Sequence, residues 1–266
     1  MNIKIGIAYH KNSPILSNDI YMPIHVGKSL HPDINLCIQA DNEGDNISEE
    51  NGYYCELTAT YWLWKNVVAD YKGLCHYRRV FTSKYSAIDN IRNYILGIRN
   101  RMYIPQKTYI NANDFIQDSI KISDDLKEIL HKYPIIAPKK IITAHTLYQH
   151  FVIIGNDYIE ILKQVVNEDC PEIMNTLLTS LNTHSFYYAN MVVMRNDYYN
   201  EYCEFLFSIL NNVKIKMLSE GWIRSTDEFI FNRKLGYLAE LLTNVFILTK
   251  ENSGVPIKRM AESMLR

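Results

Sequence analysis

The order of apolar and polar positions along the chain predicts alternating strands and helices. Short β-branched or apolar runs bounded by polar turns are typical of strands, which we predict over residues 2–9, 34–40, 71–77, 133–138, 184–194 and 245–249. Apolar residues three and four positions apart are typical of helices, which we predict over residues 53–66, 88–101, 111–120, 123–132, 157–167, 197–216 and 235–242. Residues 21–30 fit a short helix or an extended loop. The alternation indicates an α/β protein.

The chain is organised around an aromatic helix and the strand that follows it. In the helix, Leu57, Tyr61, Trp64 and Val68 recur at helical spacing and are predicted to form a core face. Glu56 is then a carboxylate on a largely apolar helix, and a buried carboxylate needs a partner.

The strand over 71–77 ends in a cluster of basic residues, His76, Arg78 and Arg79. Because side chains alternate along a strand, His76 and Arg78 are expected on one side and Arg79 on the other. The planar guanidinium fork suits phosphate or carboxylate groups, and open α/β sheets bind ligands at strand ends. A ligand site is therefore one interpretation. In the other, one arginine pairs with Glu56 and the second is solvated.

Two more polar segments follow predicted strands. His10 and Lys11 come directly after the first strand, where an α/β sheet would meet a nucleotide or where Asn12-Ser-Pro14 would open an ordinary turn. The segment over 41–48 follows the second strand and is rich in Asp and Asn. It could hold a ribose, a base edge or a cation, and turn chemistry alone also explains it.

Further candidate residues lie in the second half of the chain. Asp227 and Glu228 follow a helix-capping pair, so they either complement the helix dipole or include a general base. His145 and His150 are five residues apart, which is poor spacing for two metal ligands on one helix.

Composition narrows the class of protein. The chain has 266 residues, of which 47% are hydrophobic, and no linker divides it, so we expect one domain over 1–266. A net charge of -1 indicates no nucleic-acid partner. Five cysteines without a C-x-x-C pair, and no leader or membrane span, favour a cytoplasmic protein. The mildly basic tail over 256–266 is expected to be a terminal helix, either simply packed or lying on the inner face of the cell membrane.

Several catalytic motifs are absent from the sequence. It has no P-loop, no G-x-G-x-x-G turn, no G-x-S-x-G elbow and no H-E-x-x-H pair. It also has no Asp-x-Asp triplet, the usual metal–diphosphate clamp of glycosyltransferases with one nucleotide-binding α/β domain. In such an enzyme, fixed positive charge from Arg78 and Arg79, with His76 nearby, would have to stabilise a departing diphosphate instead.

Three motifs in the first third of the chain resemble a known protein family. They are Asp41-Asn-x-Gly-Asp-Asn-Ile-Ser48, Tyr54-Cys-Glu-Leu-Thr-Ala-x-Tyr-Trp-x-Trp-Lys-Asn66 and Gly73-Leu-x-His-Tyr-Arg-Arg-x-Phe81. The likeness recurs at Asn190-Met-Val-Val-Met194, Tyr202-Cys-Glu-Phe-Leu-Phe207 and Gly236-Tyr-Leu-Ala-Glu-Leu-Leu-Thr-Asn-Val245. The family comprises bacterial capsule and O-antigen proteins, long catalogued as a domain of unknown function and now regarded as glycosyltransferases that include galactofuranosyltransferases.

The chain departs from the family pattern in two places. It has Arg233-Lys-Leu-Gly-Tyr-Leu-Ala-Glu-Leu-Leu242 where Arg-x-Phe-Gly-Tyr-Leu-Ala-Glu-Arg-Leu is expected. It also has Gln149-His-Phe151 where a pair of histidines is expected.

The resemblance implies a fold of the GT-A type, a single Rossmann-like nucleotide-binding domain with a mixed central sheet flanked by helices. It implies transfer of a sugar, galactofuranose or galactose, from a UDP-sugar to a lipid-linked glycan acceptor. No cofactor is expected, and the absence of an Asp-x-Asp triplet predicts that no divalent metal is needed. A non-catalytic carbohydrate-binding or scaffold protein of the same pathway is the alternative.

The resemblance also implies roles for particular residues. Asp227 or Glu228 would be the base of an inverting mechanism. Donor binding would fall to Tyr9, His10, Lys11, Asp41, Asn42, Asp45, Asn46, Glu56, His76, Arg78, Arg79 and Asn190. Acceptor binding would fall to His145, His150 and His184.

Overall fold

The computed structural model of the protein describes residues 1–152, 155–221 and 233–266. The strands are β1 (Ile3–Tyr9), β2 (Tyr21–His25), β3 (Gln39–Ala40), β4 (Tyr71–His76), β5 (Arg79–Thr82), β6 (Met102–Tyr103), β7 (Gln106–Tyr109), β8 (Ile135–Pro138), β9 (Ile141–Thr143), β10 (Ser185–Phe186), β11 (Val192–Arg195) and β12 (Ile257–Leu265). The helices are α1 (Asn51–Tyr54), α2 (Leu57–Asn66), α3 (Ala87–Asn100), α4 (Ala112–Leu130), α5 (Leu147–Phe151), α6 (Asn156–Asp169), α7 (Met174–Leu181), α8 (Asn196–Ser219) and α9 (Lys234–Asn252).

Within the described residues, nine strands form one mixed sheet. Its parallel part has the order β3-β2-β1-β4, so the carboxyl ends of these strands meet at one edge. From β4 onward the sheet curls: β4, β11, β8, β12 and β5 pair in a closed circuit. The sheet is therefore partly closed. β6, β9 and β10 form a second, small antiparallel sheet.

Side-chain alternation along β1 divides the core between the two faces of the sheet. Ile5 and Ile7 belong to the core cluster that includes residues of α4. On the opposite face, Gly6 leaves space for Leu63 of α2, because an added Cβ would lie 2.6 Å from Leu63 Cδ1. The helices α2, α6, α7, α8 and α9 build the core on that side.

The sequence-based prediction of a helix-flanked α/β sheet is confirmed, together with the strands at 2–9, 71–77 and 133–138. Several local predictions are wrong. Residues 21–25 form a strand, residues 245–249 continue α9, and the second predicted strand shortens to Gln39–Ala40. The strand predicted over 184–194 divides into β10 and β11, which belong to different sheets. Val68, predicted on the core face, lies beyond the end of α2 and is exposed. Short apolar runs fit a strand and a buried helix equally well, so the surrounding structure decides between them.

The C-terminal tail is not an amphipathic helix, which corrects the expectation for 256–266. Ile257–Leu265 is β12, which lies inside the large sheet and pairs with β5, β7 and β8. Most of its residues are buried, because neighbouring strands flank it on both sides.

Candidate active site

The basic residues after β1 and β4 lie together at the carboxyl edge of the parallel strands. They surround the ring of Tyr77. The His10 ring meets it edge-on with centroids 5.2 Å apart, Lys11 Nζ lies 5.7 Å from its centroid, and Arg78 Cζ lies 5.2 Å from it. His10, Lys11 and Arg78 are exposed, so the charges of Lys11 and Arg78 and the ring nitrogens of His10 face solvent or a ligand. The strand ends thus bring together three side chains from separate parts of the sequence.

Positive charge dominates the electrostatics of this edge. The pKa of His10 is lowered, first by burial and then by the positive charges of Lys11, Arg233 and Arg78. Arg233, the residue before α9, is therefore close enough to act on His10. An anion placed among these cations would meet several fixed positive charges.

A tight hairpin separates the roles of the two adjacent arginines. His76 pairs with Arg79 across β4 and β5, so Tyr77 and Arg78 form the turn between them. Arg78 is exposed at this turn, whereas Arg79 returns into the sheet.

Arg79 forms a largely buried ion pair with Glu262 of β12. Arg79 Nε lies 3.1 Å from Glu262 Oε2, outside the alignment of a hydrogen bond, and the side chains are only 16% and 3% exposed. Burial alone would lower the pKa of Arg79, but Glu262 and Tyr188 outweigh it and raise that pKa. Arg79 thus stays charged, and its partner is Glu262 rather than Glu56.

Glu56 is held by a buried asparagine from the segment before β11. Asn190 Nδ2 donates to Glu56 Oε1 at 3.0 Å and to the Gly236 carbonyl of α9 at 3.2 Å. Thr243 Oγ1 of α9 donates to Asn190 Oδ1 at 3.2 Å. Asn190 therefore links the start of α2 to α9, which favours a positioning role for a residue predicted to bind the donor.

The backbone next to Asn190 is fixed by two titratable side chains. His76 Nε2 donates to the Ala189 carbonyl at 2.7 Å, which requires the proton on Nε2. The Ala189 N–H donates to Glu240 of α9. Burial lowers the pKa of His76 against the opposing effects of Glu56 and of the bond to Ala189. His76 thus supports the loop with the same nitrogen that it would otherwise offer to a phosphate.

Backbone strain concentrates at this site. Ala189, Asn190 and Cys55 adopt positive φ angles of 68°, 52° and 52°, and they are three of the five such non-glycine residues in the described ranges. Conformations of this kind cost about 1–3 kcal/mol each and cluster at functional sites.

Glu240 has an unusual protonation equilibrium. Burial and the nearby Glu56 raise its pKa to about 8, against the opposing effects of Arg79 and the Ala189 N–H. A carboxyl group that titrates near neutral pH can donate or accept a proton during a reaction.

Sequence reasoning missed both Glu240 and Glu262. A single carboxylate within the apolar run of α9 was the available signal for Glu240. Glu262 was hidden because the tail was predicted to be a helix, and in a central strand it stands out as a buried charge.

The carboxylate of Asp41 is occupied by hydrogen bonds within the protein. It is fully buried and accepts hydrogen bonds from the backbone of Gly27 and Lys28 and from the hydroxyls of Ser48 and Thr58, at 2.5–3.1 Å. Four donors satisfy the carboxylate, so it anchors the start of α2 and carries no part of the site proposed below.

Part of this loop extends along α2. Asp45 N–H bonds to Asn66 Oδ1 at the end of α2. Asn66 is ten residues from Glu56, about 15 Å along a helix, so Asp45 lies far from the start of α2. Asn46 bonds to the Gly44 carbonyl and accepts from the Ser48 N–H. Donor binding by Asn42, Asp45 and Asn46 stays a prediction.

Tyr9 packs beneath the exposed residues of the site, against the ring of Tyr77. It is fully buried, its hydroxyl donates to the Pro14 carbonyl and accepts from the Leu16 N–H, and burial raises its pKa. Its ring packs 5.8 Å from that of Tyr77. Tyr9 thus holds the turn that carries His10 and Lys11.

The predicted acceptor histidines are brought together around Thr143 of the small sheet. The Thr143 N–H donates to the His184 carbonyl at 2.8 Å, and its hydroxyl donates to the His145 carbonyl at 2.5 Å. The pKa of His150 is lowered by burial and then by His145. These three residues form one region, which we call the histidine region.

Two remaining expectations concern catalysis and metal binding. Asp227 and Glu228 lie outside the described residues. In the part of the chain that the structure describes, no three His, Cys, Asp or Glu side chains are grouped to hold a metal ion.

Comparison with solved structures places the fold in the glycosyltransferase class. The chain is similar to the apo structure of the bifunctional glycosyltransferase WbbM, with a TM-score of 0.82 and 27% sequence identity. The match covers 100% of this chain and 45% of WbbM, so the chain spans less than half of that protein.

A comparison with protein-family sequence models identifies the family of the chain. Residues 4–251 match DUF4422, a domain of unknown function, and the chain belongs to this family. A comparison with curated protein sequences gave no match.

Proposed function

We propose that the protein is a glycosyltransferase that moves a sugar from a UDP-sugar to a lipid-linked glycan acceptor in capsule or O-antigen biosynthesis. The similarity to WbbM supports a glycosyltransferase role. The donor, the acceptor and the pathway are proposals, with galactofuranose or galactose as the sugar.

One observation carries the proposal: several cations meet at the carboxyl edge of the parallel strands. His10, Lys11 and Arg78 surround Tyr77, and Arg233 lies close enough to influence His10. A diphosphate is compact and doubly charged, so it matches this group better than a neutral sugar does. We place the donor diphosphate here, where positive charge would also stabilise the departing UDP.

Arg79 has a different part in this proposal. Its charge is balanced by Glu262, so it contributes less net field at the diphosphate than Arg78 does. His76, Glu56 and Asn190 would hold the floor of the site through Ala189 and α9.

A general base must deprotonate the acceptor hydroxyl in an inverting reaction. Asp227 and Glu228 keep this role as candidates. Glu240 is a third candidate, because it titrates near neutral pH beside Glu56 and Arg79. We expect no divalent metal requirement, since fixed cations would stabilise the diphosphate in place of a metal held by an Asp-x-Asp triplet.

The acceptor would approach from the histidine region. Of these three histidines, His150 lies next to aromatic rings: its ring packs 5.2 Å from Phe186 and 5.5 Å from Phe151. Sugars bind to such mixtures of hydrogen-bonding and apolar groups. The alternative, a carbohydrate-binding or scaffold protein without catalysis, leaves the exposed cation group unexplained.

Calorimetric titration with UDP tests the donor site. We expect binding to the wild type, and roughly tenfold weaker binding after Arg78→Ala or Lys11→Ala, because each removes a charge-assisted contact. Lys121→Ala is a matched control, since this lysine is exposed on α4. Equal affinities for all four proteins would contradict the placement of the diphosphate.

A further inference from the structure

The helix α3 has its apolar side turned toward solvent. Ile88, Ile91, Tyr94, Ile95 and Ile98 recur at helical spacing along one face, and each is 62–79% exposed. Isolated exposed apolar residues are common, but five on one stripe of a single helix are not. We call these five side chains the α3 stripe.

The other side of α3 attaches the helix to the protein. Asn93 is buried, and its side-chain amide donates to the Gln106 carbonyl. Gly97 permits close contact, because a Cβ there would lie 3.2 Å from Tyr103 Cα. Surface helices of globular proteins normally bury their apolar face. In contrast, α3 packs on the protein through its polar side and exposes its apolar side.

Arginines border the α3 stripe. At 100° per residue, Arg92 and Arg99 lie on one edge of it, and Arg101 follows the last turn. None of the ion pairs formed within the described residues involves these three arginines. The acid of the first turn, Asp89, is engaged in a capping box with Ser86.

We propose that α3 is a membrane-docking helix that lies in the plane of an anionic lipid surface. An apolar stripe edged with arginine matches such a surface in both respects: the isoleucines enter the acyl boundary and the guanidinium groups meet lipid phosphates. Tyr94 is an amphipathic side chain suited to the headgroup level.

A second copy of the chain fits this surface less well. Antiparallel packing of two α3 stripes through a two-fold axis would bring their arginine edges together. Like charges would then face each other across the contact.

The position of α3 connects this surface with the proposed acceptor side. β6 directly follows α3 and pairs with β9, and the Arg101 carbonyl accepts from the Ala144 N–H at 3.0 Å. Docking would therefore bring the histidine region near the lipid surface. This consequence rests on the proposed function, whereas lipid binding by α3 does not.

Vesicle flotation tests the inference directly. The full chain is mixed with vesicles of phosphatidylcholine alone, or of phosphatidylcholine and phosphatidylglycerol in equal parts. We expect binding to the anionic vesicles, and binding weakened roughly tenfold or more by the double substitution Ile91→Glu with Ile95→Glu. The double substitution Arg92→Gln with Arg99→Gln should remove most of the preference for anionic lipid.

Two matched controls exclude general effects of the substitutions. Val68→Glu places an acid on another fully exposed apolar residue, 94% exposed and outside α3. Lys121→Gln removes an exposed charge from α4. Both should bind vesicles as the wild type does, and all variants should keep the wild-type melting temperature.

Other outcomes overturn the inference. Wild-type protein that fails to float with anionic vesicles contradicts it. A second contradicting result combines two measurements. The wild type sediments as a dimer and the Ile91→Glu, Ile95→Glu variant as a monomer, while both bind vesicles equally well. UDP titration of the same variants separates the two proposals, because the α3 substitutions should leave UDP affinity unchanged.

Discussion

The two neighbouring arginines at the end of β4 have different surroundings, and their substitutions should separate binding from stability. Arg78→Ala removes an exposed charge and should reduce UDP affinity with little change in melting temperature. Arg79→Ala leaves Glu262 buried without its partner, which should cost about 3–5 kcal/mol of unfolding free energy. Chemical denaturation of both variants, with UDP titration of Arg78→Ala, measures the difference.

The double substitution Arg79→Met with Glu262→Leu is the control for this interpretation. Replacing both members of a buried ion pair by apolar residues is often close to neutral. The double variant should therefore recover much of the stability lost in Arg79→Ala. A double variant no more stable than Arg79→Ala would show that the pair is not the cause.

Glu240 should make stability fall as the pH rises. Its pKa is raised from 4.5 to about 8 on folding, so between these values the folded state keeps a proton that the unfolded state releases. The stabilisation is complete below pH 4.5 and is lost as the pH approaches 8. In Glu240→Gln the decline in melting temperature across this window should be smaller, at about 2–4 °C for each kcal/mol in a chain of this size.

Glu262 contributes a slope of the same sign, because burial raises its pKa as well. Glu240→Gln should therefore reduce the slope without abolishing it. An unchanged pH profile would show that Glu240 titrates normally in the folded protein.

At the residue scale, strand-end reasoning placed His10, Lys11 and Arg78 correctly at one edge. Their role in donor binding stays a prediction. Asp41 shows the limit of such reasoning. A polar residue after a strand can equally use its hydrogen-bonding groups to bind the backbone of a neighbouring loop, as Asp41 does with Gly27 and Lys28. Only the three-dimensional contacts distinguish the two cases.

At the element scale, β12 is the main departure from the sequence-based prediction. The segment over 256–266 was expected to be a terminal helix, but it forms an inner strand and supplies Glu262. Deletion of these ten residues should leave the chain insoluble or unfolded, because β5, β7 and β8 would lose their shared neighbour. Circular dichroism and solubility measure this.

The single substitution Arg266→Ala is the matched control, since Arg266 is exposed and follows β12. It should fold normally. A truncated chain that melts cooperatively at the wild-type temperature would contradict the central position of β12.

The same element shows why part of the fold escapes prediction from sequence. Local periodicity found β1, β4 and most helices, because each has a long apolar pattern of its own. β12 depends on strands that precede it by more than a hundred residues, so its local pattern was ambiguous. In α3, the sequence pattern of the exposed apolar stripe is the same as that of a buried core face. Only the structure shows which side of the helix is covered.

At the scale of the whole molecule, a metal-independent reaction follows from the proposed cation group. Transfer of a sugar from a UDP-sugar should persist in excess chelator, with a rate within about twofold of that with added Mg²⁺, because no metal would carry the leaving diphosphate. Release of UDP measures this. Complete loss of activity in chelator, restored by a divalent cation, would contradict it.

The fold brings three parts of the chain to one side of the parallel strands: the turn after β1, the β4–β5 hairpin and the start of α9. No helix in the described ranges is long and apolar enough to cross a membrane.

The most direct test of the central claim is the affinity for UDP measured by calorimetry on the wild type and on Arg78→Ala, with uridine as the uncharged ligand. UDP should bind the wild type, uridine should bind far more weakly, and Arg78→Ala should lose roughly tenfold in affinity for UDP alone. Wild-type protein that binds no nucleoside diphosphate at millimolar concentration, or that binds UDP and uridine equally, would contradict it.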